Sequence, residues 1–281
     1  MEFKDLKSIL EKHNLWAKKS LGQHFLMDES VCERMVQNLN LKGQTVVEIG
    51  PGPGSLTDIL LKSQPDFLLA IEKDQRFIDI LKEFETPKNT TFTIVQADAL
   101  NVCISKILNE HGKSGPYHIV ANLPYNIGTE LLIRWISDIE NITSITVMLQ
   151  REVVDRMTAL PGTKDYGRLA IVLQSCFYVQ ELFQISPEAF IPPPKVWSSV
   201  AFLKPRKDVP EPNVIKTLGK LTNMAFCYRR KMLRASLGKS LSLTLWQKLC
   251  DTLNIDETRR PEELDTHTFL AMAQICSKEQ I

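Results

Sequence analysis

The sequence predicts an α/β fold, a mostly parallel sheet with helical crossovers, followed by a small all-helical C-terminal domain. Three observations carry that prediction. Strand patterns alternate with helical patterns from Thr45 to Leu203, as in parallel crossover units. Three glycines, Gly50, Gly52 and Gly54, stand between the first of those strands and the helix after it. Beyond Val209 only helical patterns remain.

Taken in order, Met1 to Leu15 reads as a short amphipathic helix, and a polar segment from Lys18 to Leu26 follows. Lys18 and Lys19 read as solvated surface; for Gln23 and His24 a ligand contact and a structural role both stay open. Asp28 can cap a helix whose apolar face is Val31, Met35, Val36 and Leu39. Thr45-Val46-Val47, with Ile49 beyond, is a β-branched run that suits a buried parallel strand. The glycines then permit positive φ and close backbone approach, and Leu56 to Leu61 is helical. Such a turn brings a ligand to a helix start. The dinucleotide version wants a glycine at position 55, where Ser55 stands. The turn alone therefore leaves NAD, S-adenosylmethionine (SAM) and no ligand open.

Phe67 to Ile71 is the second strand and ends at Glu72, 22 residues after Gly50. An acid there can accept both ribose hydroxyls of an adenosine cofactor; a plain surface acid is the competing reading. Asp74 to Phe84 is helical, and Thr91 to Val95 is the third strand. Asp98 at its end either accepts from an adenine amino group or caps a helix. Tyr117 to Ala121 is the fourth strand, Ile127 to Ile136 a helix and Ser144 to Leu149 the fifth strand. Helices over Arg151–Met157 and Leu169–Ser175 follow. Phe177 to Ile185 and Ser199 to Leu203 read as an edge hairpin, and Pro192-Pro193-Pro194 bars the insert between them from the central sheet. The polar, proline-rich stretch from Lys204 to Pro212 is a linker, which divides the chain into domains 1–208 and 209–281. Helices are expected around Val214–Met224, Arg230–Leu237, Leu243–Leu253 and Thr268–Ile275.

The 281 residues are 43% hydrophobic and 24% charged, with a net charge of +1, so the molecule is no polycation and any nucleic-acid role needs a segregated basic face. Six scattered cysteines without a CxxC read as reduced thiols of a cytosolic protein rather than a disulfide scaffold or zinc site. No apolar run reaches membrane-spanning length, and the start MEFKDLKSIL lacks a signal-peptide core.

Asn122-Leu123-Pro124-Tyr125 is the sharpest chemical signal. It ends the fourth strand on the same sheet edge as the glycine turn, Glu72 and Asp98. Pro124 forces an extended approach at Leu123, which can aim the Asn122 amide oxygen and the Leu123 carbonyl into a cleft. Tyr125 adds a flat face for a base. Two acceptors beside a stacking platform make a seat for an exocyclic amine. A nicotinamide enzyme predicts instead a third glycine and a proton-relay side chain; His118 in a strand and His111 in a loop supply neither. SAM is the better cofactor, and there is no metal-ligand spacing. The segregated basic face is present too. From Pro212 to Cys250, 39 residues, there is no Asp or Glu, whereas Lys216, Lys220, Arg229, Arg230, Lys231, Arg234, Lys239 and Lys248 are all there. That face suits a phosphate backbone, and a solvated helix surface is the alternative. Lys195, Lys204, Arg206 and Lys207 extend it, while Phe226, Tyr228, Met232 and Leu233 read as core.

The chain resembles the ribosomal RNA adenine dimethyltransferases of the small subunit. The matching stretches are Lys19-Ser20-Leu21-Gly22-Gln23-His24-Phe25-Leu26, Glu48-Ile49-Gly50-Pro51-Gly52, Asp98-Ala99-Leu100, Asn122-Leu123-Pro124-Tyr125-Asn126, Pro192-Pro193-Pro194-Lys195-Val196 and Arg229-Arg230-Lys231. His24 departs from the family, which usually has Asn there. The resemblance implies a SAM-dependent methyltransferase, Rossmann-like, with a mostly parallel seven-stranded sheet and a small helical C-terminal domain. It implies that Gln23, His24, Leu26, Gly50, Gly52, Glu72, Lys73, Asp98, Ala99 and Asn122 hold SAM, and that no metal is used. Asn122, Leu123, Pro124 and Tyr125 would seat the target adenine, with Phe190 covering its other face. Lys195, Arg229, Arg230, Lys231 and Arg234 would contact RNA. The implied reaction moves four methyl groups from SAM, leaving S-adenosylhomocysteine, to N6 of two adjacent adenosines in the 3′-terminal hairpin loop of small-subunit rRNA. The implied partner is a pre-30S-type particle, and the implied state is a cytoplasmic monomer away from membranes. The related resistance methyltransferases of the large subunit, and an assembly factor with vestigial SAM binding, are the alternatives.

Overall fold

A computed structural model describes residues 10, 15, 24–228 and 231–279. The expected helix over Met1 to Leu15, together with Lys18, Lys19, Gln23, Arg229 and Arg230, lies outside these apart from Leu10 and Leu15, which are buried. In chain order the elements begin with β1 (Phe25–Leu26), α1 (Glu29–Val36), β2 (Thr45–Ile49), α2 (Ser55–Lys62) and β3 (Phe67–Glu72). Then come α3 (Gln75–Leu81), β4 (Thr91–Gln96), α4 (Ile104–Glu110), β5 (Tyr117–Asn122), α5 (Gly128–Trp135) and β6 (Ile142–Gln150). They continue with α6 (Arg151–Thr158), α7 (Arg168–Cys176), β7 (Phe177–Ile185), β8 (Phe190–Ile191) and β9 (Ser198–Pro205). Four helices close the chain: α8 (Pro212–Phe226), α9 (Leu233–Ser240), α10 (Leu243–Leu253) and α11 (Thr266–Lys278).

The seven-stranded sheet runs β4-β3-β2-β5-β6-β9-β7. The pairs from β4 across to β6 are parallel, and β9 joins β6 antiparallel. Strands β2, β3 and β5 are almost wholly buried, as their apolar, β-branched sequences require when helices cover both faces. From β2 the chain builds outward to β3 and β4, then returns to place β5 on the other side of β2. The order thus reverses between β2 and β5, and a crevice opens beyond their carboxyl ends, where ligands bind in sheets of this kind.

The expected edge hairpin is present, with β9 and β7 as neighbours at the margin. The proline-rich insert stays out of the central sheet: Phe190 and Ile191 pair antiparallel with Leu26 and Phe25 in a separate two-stranded ribbon. Helix α4 was not expected from the sequence. It is seven residues long and buries only Ile104 and Leu108, a pattern too short to register as periodic.

By compactness the chain forms two units, one of residues 1–154 with 180–204, the other of 155–179 with 205–281. The linker expectation of a single boundary at 208/209 did not include the 155–179 segment. The physical reason lies in α7, where Leu169, Ala170, Ile171, Val172, Leu173, Ser175 and Cys176 are all buried. A helix apolar all round needs cover on every side, and within the second unit α7 packs against α8 and α11. Arg168 also bonds Asn223 of α8, Nη1 to Oδ1, at 2.9 Å. Helix α9 begins at Leu233, so Lys231 precedes it and Arg234 lies in its first turn. Leu233 is buried as expected, but Tyr228 and Met232, read from the sequence as core, are exposed.

Candidate active site

The crevice is lined by residues of the first unit alone, among them His24, Leu26, Glu48, Gly50, Gly52, Glu72, Lys73, Asp98, Ala99, Asn122, Leu123, Pro124 and Tyr125. All but one of the described residues that the sequence nominated for cofactor or target are therefore brought to one place or its rim, the exception being Phe190. Their separation along the chain makes this a product of the sheet order.

The glycine turn is held by its neighbours. Gly52 has φ +55 and donates its N–H to Glu72 Oε2 at 3.0 Å. Gly54 has φ +96, and a Cβ there would lie 2.4 Å from the Phe84 ring. Ser55, where a dinucleotide fingerprint wants glycine, is buried and donates its hydroxyl to the Leu26 carbonyl at 2.6 Å. The serine thus ties the start of α2 to the N-terminal segment, which packs Phe25 close to Gly52.

Glu72 ends β3 and is 6% exposed. Its Oε1 accepts the Asp74 N–H at 2.7 Å, so each carboxylate oxygen already takes one backbone donor and keeps capacity for another. Burial pushes its pKa up, against those backbone bonds. Asp98 serves as the cap that the sequence left open, its Oδ1 accepting the Leu100 N–H at 3.0 Å. Lys73 Nζ lies 2.8 Å from Asp98 Oδ2, and this bond, then the cap, holds the Asp98 carboxyl below the usual range. Glu48, named in the sequence only as part of a matching stretch, also borders the crevice. It is 1% exposed inside β2 and accepts from Thr57 Oγ1 at 2.7 Å. Burial pushes its carboxyl up to about 8, with the Thr57 bond opposing and Glu72 adding to the rise. The available signal was a lone acid inside an apolar strand.

At the end of β5 the Asn122 amide nitrogen meets the His24 carbonyl at a long 3.4 Å. A carbonyl only accepts, so the NH2 must face it and Oδ1 remains as the acceptor on offer. Leu123 is buried and its N–H pairs with Met148 at 3.2 Å; the Pro124 carbonyl accepts from Ile127 and Gly128 as α5 begins. Tyr125 is pinned at both ends. Its hydroxyl meets Ser198 Oγ at 2.6 Å, and its ring stacks on His24 with centroids 5.7 Å apart and planes at 27°. Burial raises the Tyr125 pKa, against the Ser198 bond. His24 Nδ1 in turn lies 2.8 Å from the Pro192 carbonyl, so Nδ1 carries the hydrogen.

Phe190 is not in the crevice. It is 2% exposed, paired with Leu26 and packed in the core. Its backbone position in a two-residue ribbon turns the ring inward, and the ring that stands against Tyr125 is His24. Lys195 is exposed on the insert, away from the crevice lining. In the second unit Lys231 and Arg234 are exposed, and Lys231 Nζ sits 4.3 Å from the Tyr228 ring centre.

Acceptors and a buried carboxyl thus ring a largely apolar crevice, a set suited to a cofactor with hydroxyls, an amino group and a positive centre. Among the described residues no group of three or more His, Cys, Asp or Glu could hold a metal ion, and no helix is long and apolar enough to cross a membrane. All six cysteines are free.

Fold and crevice define a SAM-dependent methyltransferase. Two solved structures share the fold. A dimethyladenosine transferase from Plasmodium falciparum superposes with a TM-score of 0.77 at 24% identity, covering 92% of this chain and 99% of that one. The 23S rRNA methyltransferase ErmE gives 0.66 at 21% identity, covering 89% and 98%. The family model for ribosomal RNA adenine dimethylase matches residues 14–278, and the chain belongs to that family. Among its relatives, ribosomal RNA small subunit methyltransferase A of Azorhizobium caulinodans is 43% identical over 272 residues, 95% of this chain and 91% of that protein. The protein of the same name from Mesorhizobium japonicum is 41% identical over 272 residues, 95% and 96% of the two chains.

Proposed function

We propose that this enzyme dimethylates N6 of two adjacent adenosines, four transfers in all, in the 3′-terminal hairpin loop of small-subunit rRNA. The observation that supports it best is the Asn122 amide, whose nitrogen is committed to His24 and whose oxygen is left to accept, beside a Tyr125 ring fixed at its hydroxyl. The names of the relatives, small subunit methyltransferase A, favour the small subunit over the large.

SAM, when bound, supplies an electrophilic methyl on a sulfonium, and S-adenosylhomocysteine is the product. The free capacity of the Glu72 oxygens suits the ribose hydroxyls, and Asp98 with Ala99 would hold the adenine end. Gly50, Gly52, Leu26, Lys73 and His24 shape the rest of the seat. The target adenosine leaves its stack at modest cost in a loop and is seated against Tyr125. Adenine N6 is a poor nucleophile because its lone pair is delocalised into the ring. Asn122 Oδ1 and the Leu123 carbonyl accept its amino hydrogens, hold them out of the ring plane and so localise the lone pair. Pro124 keeps Leu123 extended for that purpose. Attack then depends mainly on alignment. The nitrogen becomes acidic as it is alkylated, so no strong base is required, and no metal takes part. The second transfer leaves one fewer hydrogen to hold, so a methyl must replace it at one acceptor.

Lys231 and Arg234, with Arg229 and Arg230 in the same basic stretch, suit rRNA phosphates, which makes residues 209–281 an RNA-recognition region, while the first unit, which holds the crevice, is the catalytic one. The partner is a pre-30S-type particle, and the protein works there as a cytoplasmic monomer during small-subunit maturation. Labelled methyl transfer to undermethylated small and large subunits, with adenosines mapped by mass, tests the proposal. Four methyls on two adjacent small-subunit adenosines are expected. Label in large-subunit RNA only would replace it with the resistance class.

A further inference from the structure

The insert between β8 and β9 exposes more apolar surface than its position explains. Ile191 is 39% exposed, Val196 45% and Trp197 49%, with the Lys195 side chain among them. Three exposed apolar side chains within seven residues, next to a lysine, are the kind of surface that marks an interaction site. This stretch is also tightly anchored. Ile191 pairs with Phe25, the Pro192 carbonyl accepts from His24, and the Trp197 carbonyl accepts the Arg151 N–H at 2.9 Å. The next residue, Ser198, is fully buried and holds the Tyr125 hydroxyl at 2.6 Å. The indole is therefore carried on a fixed ledge one residue from the contact that positions Tyr125. Of the described tryptophans, Trp135 and Trp246 are buried.

We infer that Trp197 is an RNA-contact residue: its indole stacks on an unpaired base flanking the adenosine seated at Tyr125, while Lys195 meets the adjoining phosphate. The inference rests on the proposed RNA substrate and adds a subsite to it. Three features favour single-stranded RNA as the occupant. The ledge is continuous with the crevice through Ser198 and His24. It pairs a flat aromatic with a cation, as sequence-tolerant single-strand sites do. A base drawn out of a loop also leaves its neighbours partly unstacked, so a stacking surface beside the entrance recovers what extraction costs. A tryptophan, with only two side-chain torsions to fix, supplies that contact at little entropic cost.

The test compares Trp197→Ala and Trp197→Phe with the wild type on undermethylated small subunits. Steady-state transfer gives KM and kcat, calorimetry gives SAM affinity, and ultraviolet crosslinking with mass mapping identifies what Trp197 touches. Loss of one base stack is worth roughly tenfold in affinity. Trp197→Ala is therefore expected to raise KM for the subunit about tenfold with kcat and SAM affinity near wild type, Trp197→Phe to restore most of it, and wild-type Trp197 to carry a nucleotide adduct. A KM for Trp197→Ala equal to wild type overturns the inference, as does a crosslink from Trp197 to a ribosomal protein instead of RNA. If the wild type transfers no methyl to small subunits, the underlying substrate proposal fails. The stacking inference fails separately if transfer proceeds and the alanine variant is indistinguishable.

Discussion

Glu48→Gln should make the enzyme more stable at pH 8 than the wild type and leave it equal near pH 4.5. Glu48 is fully buried in β2, and Cys32, Thr57 and Glu72 are the polar groups that interact with it. Its carboxyl is pushed from 4.5 to about 8. At about 1.4 kcal/mol per pH unit that amounts to roughly 5 kcal/mol. The sign follows from proton counts. Below pH 4.5 the folded and unfolded chains both hold the proton. Between there and about 8 the unfolded chain releases it while the folded one keeps it, so the wild type loses stability as pH rises. Above 8 both are ionised and the loss is complete. Glutamine stays neutral and still offers an oxygen to Thr57 Oγ1. Urea unfolding of both proteins across pH 5 to 8 measures the difference, which should grow steadily with pH by an amount on the order of several kcal/mol. Parallel curves would refute the reasoning and mean that Glu48 is already ionised in the fold.

Two further variants probe other parts of the structure. Gly54→Ala forces a side chain into φ +96 and against Phe84, and should destabilise by roughly 2–4 kcal/mol, read from the urea midpoint. The double reversal Lys231→Glu/Arg234→Glu should weaken binding to small subunits and flatten the plot of log affinity against log salt by about one in slope per lost phosphate contact; an unchanged slope would show that neither residue meets the backbone.

Much of the fold was legible because its signals are local. The β-branched run before Gly50, the acids at the ends of β3 and β4, and the Asn122 to Tyr125 element each declare a strand end within a few residues, and parallel alternation then forces those ends onto one edge. Apart from the short helix α4, what escaped was non-local. The Tyr125–Ser198 bond spans 73 residues, and the His24–Pro192 contact spans 168. Phe190 illustrates the limit: an aromatic before a proline run reads alike whether it lines a crevice or fills a core, and only its pairing with Leu26 decides. For α7 the signal is local, since the unbroken apolar run Leu169 to Leu173 has to be wrapped by other helices. Asp98 was left between two roles, and the structure supplies the cap without touching the other.

The seat for the amine is tested most directly at Asn122. Asn122→Ala removes the free amide oxygen while leaving the glycine turn, Glu72 and Asp98 in place. Single-turnover transfer of labelled methyl to undermethylated small subunits, run beside calorimetric SAM binding, separates the two functions. The transfer rate should fall by about a hundredfold or more, the scale on which losing one polar group that stabilises a reacting centre is felt, with SAM affinity close to wild type. Transfer at the wild-type rate, or a loss fully matched by lost SAM affinity, would contradict the assignment of Asn122 to the adenine amino group.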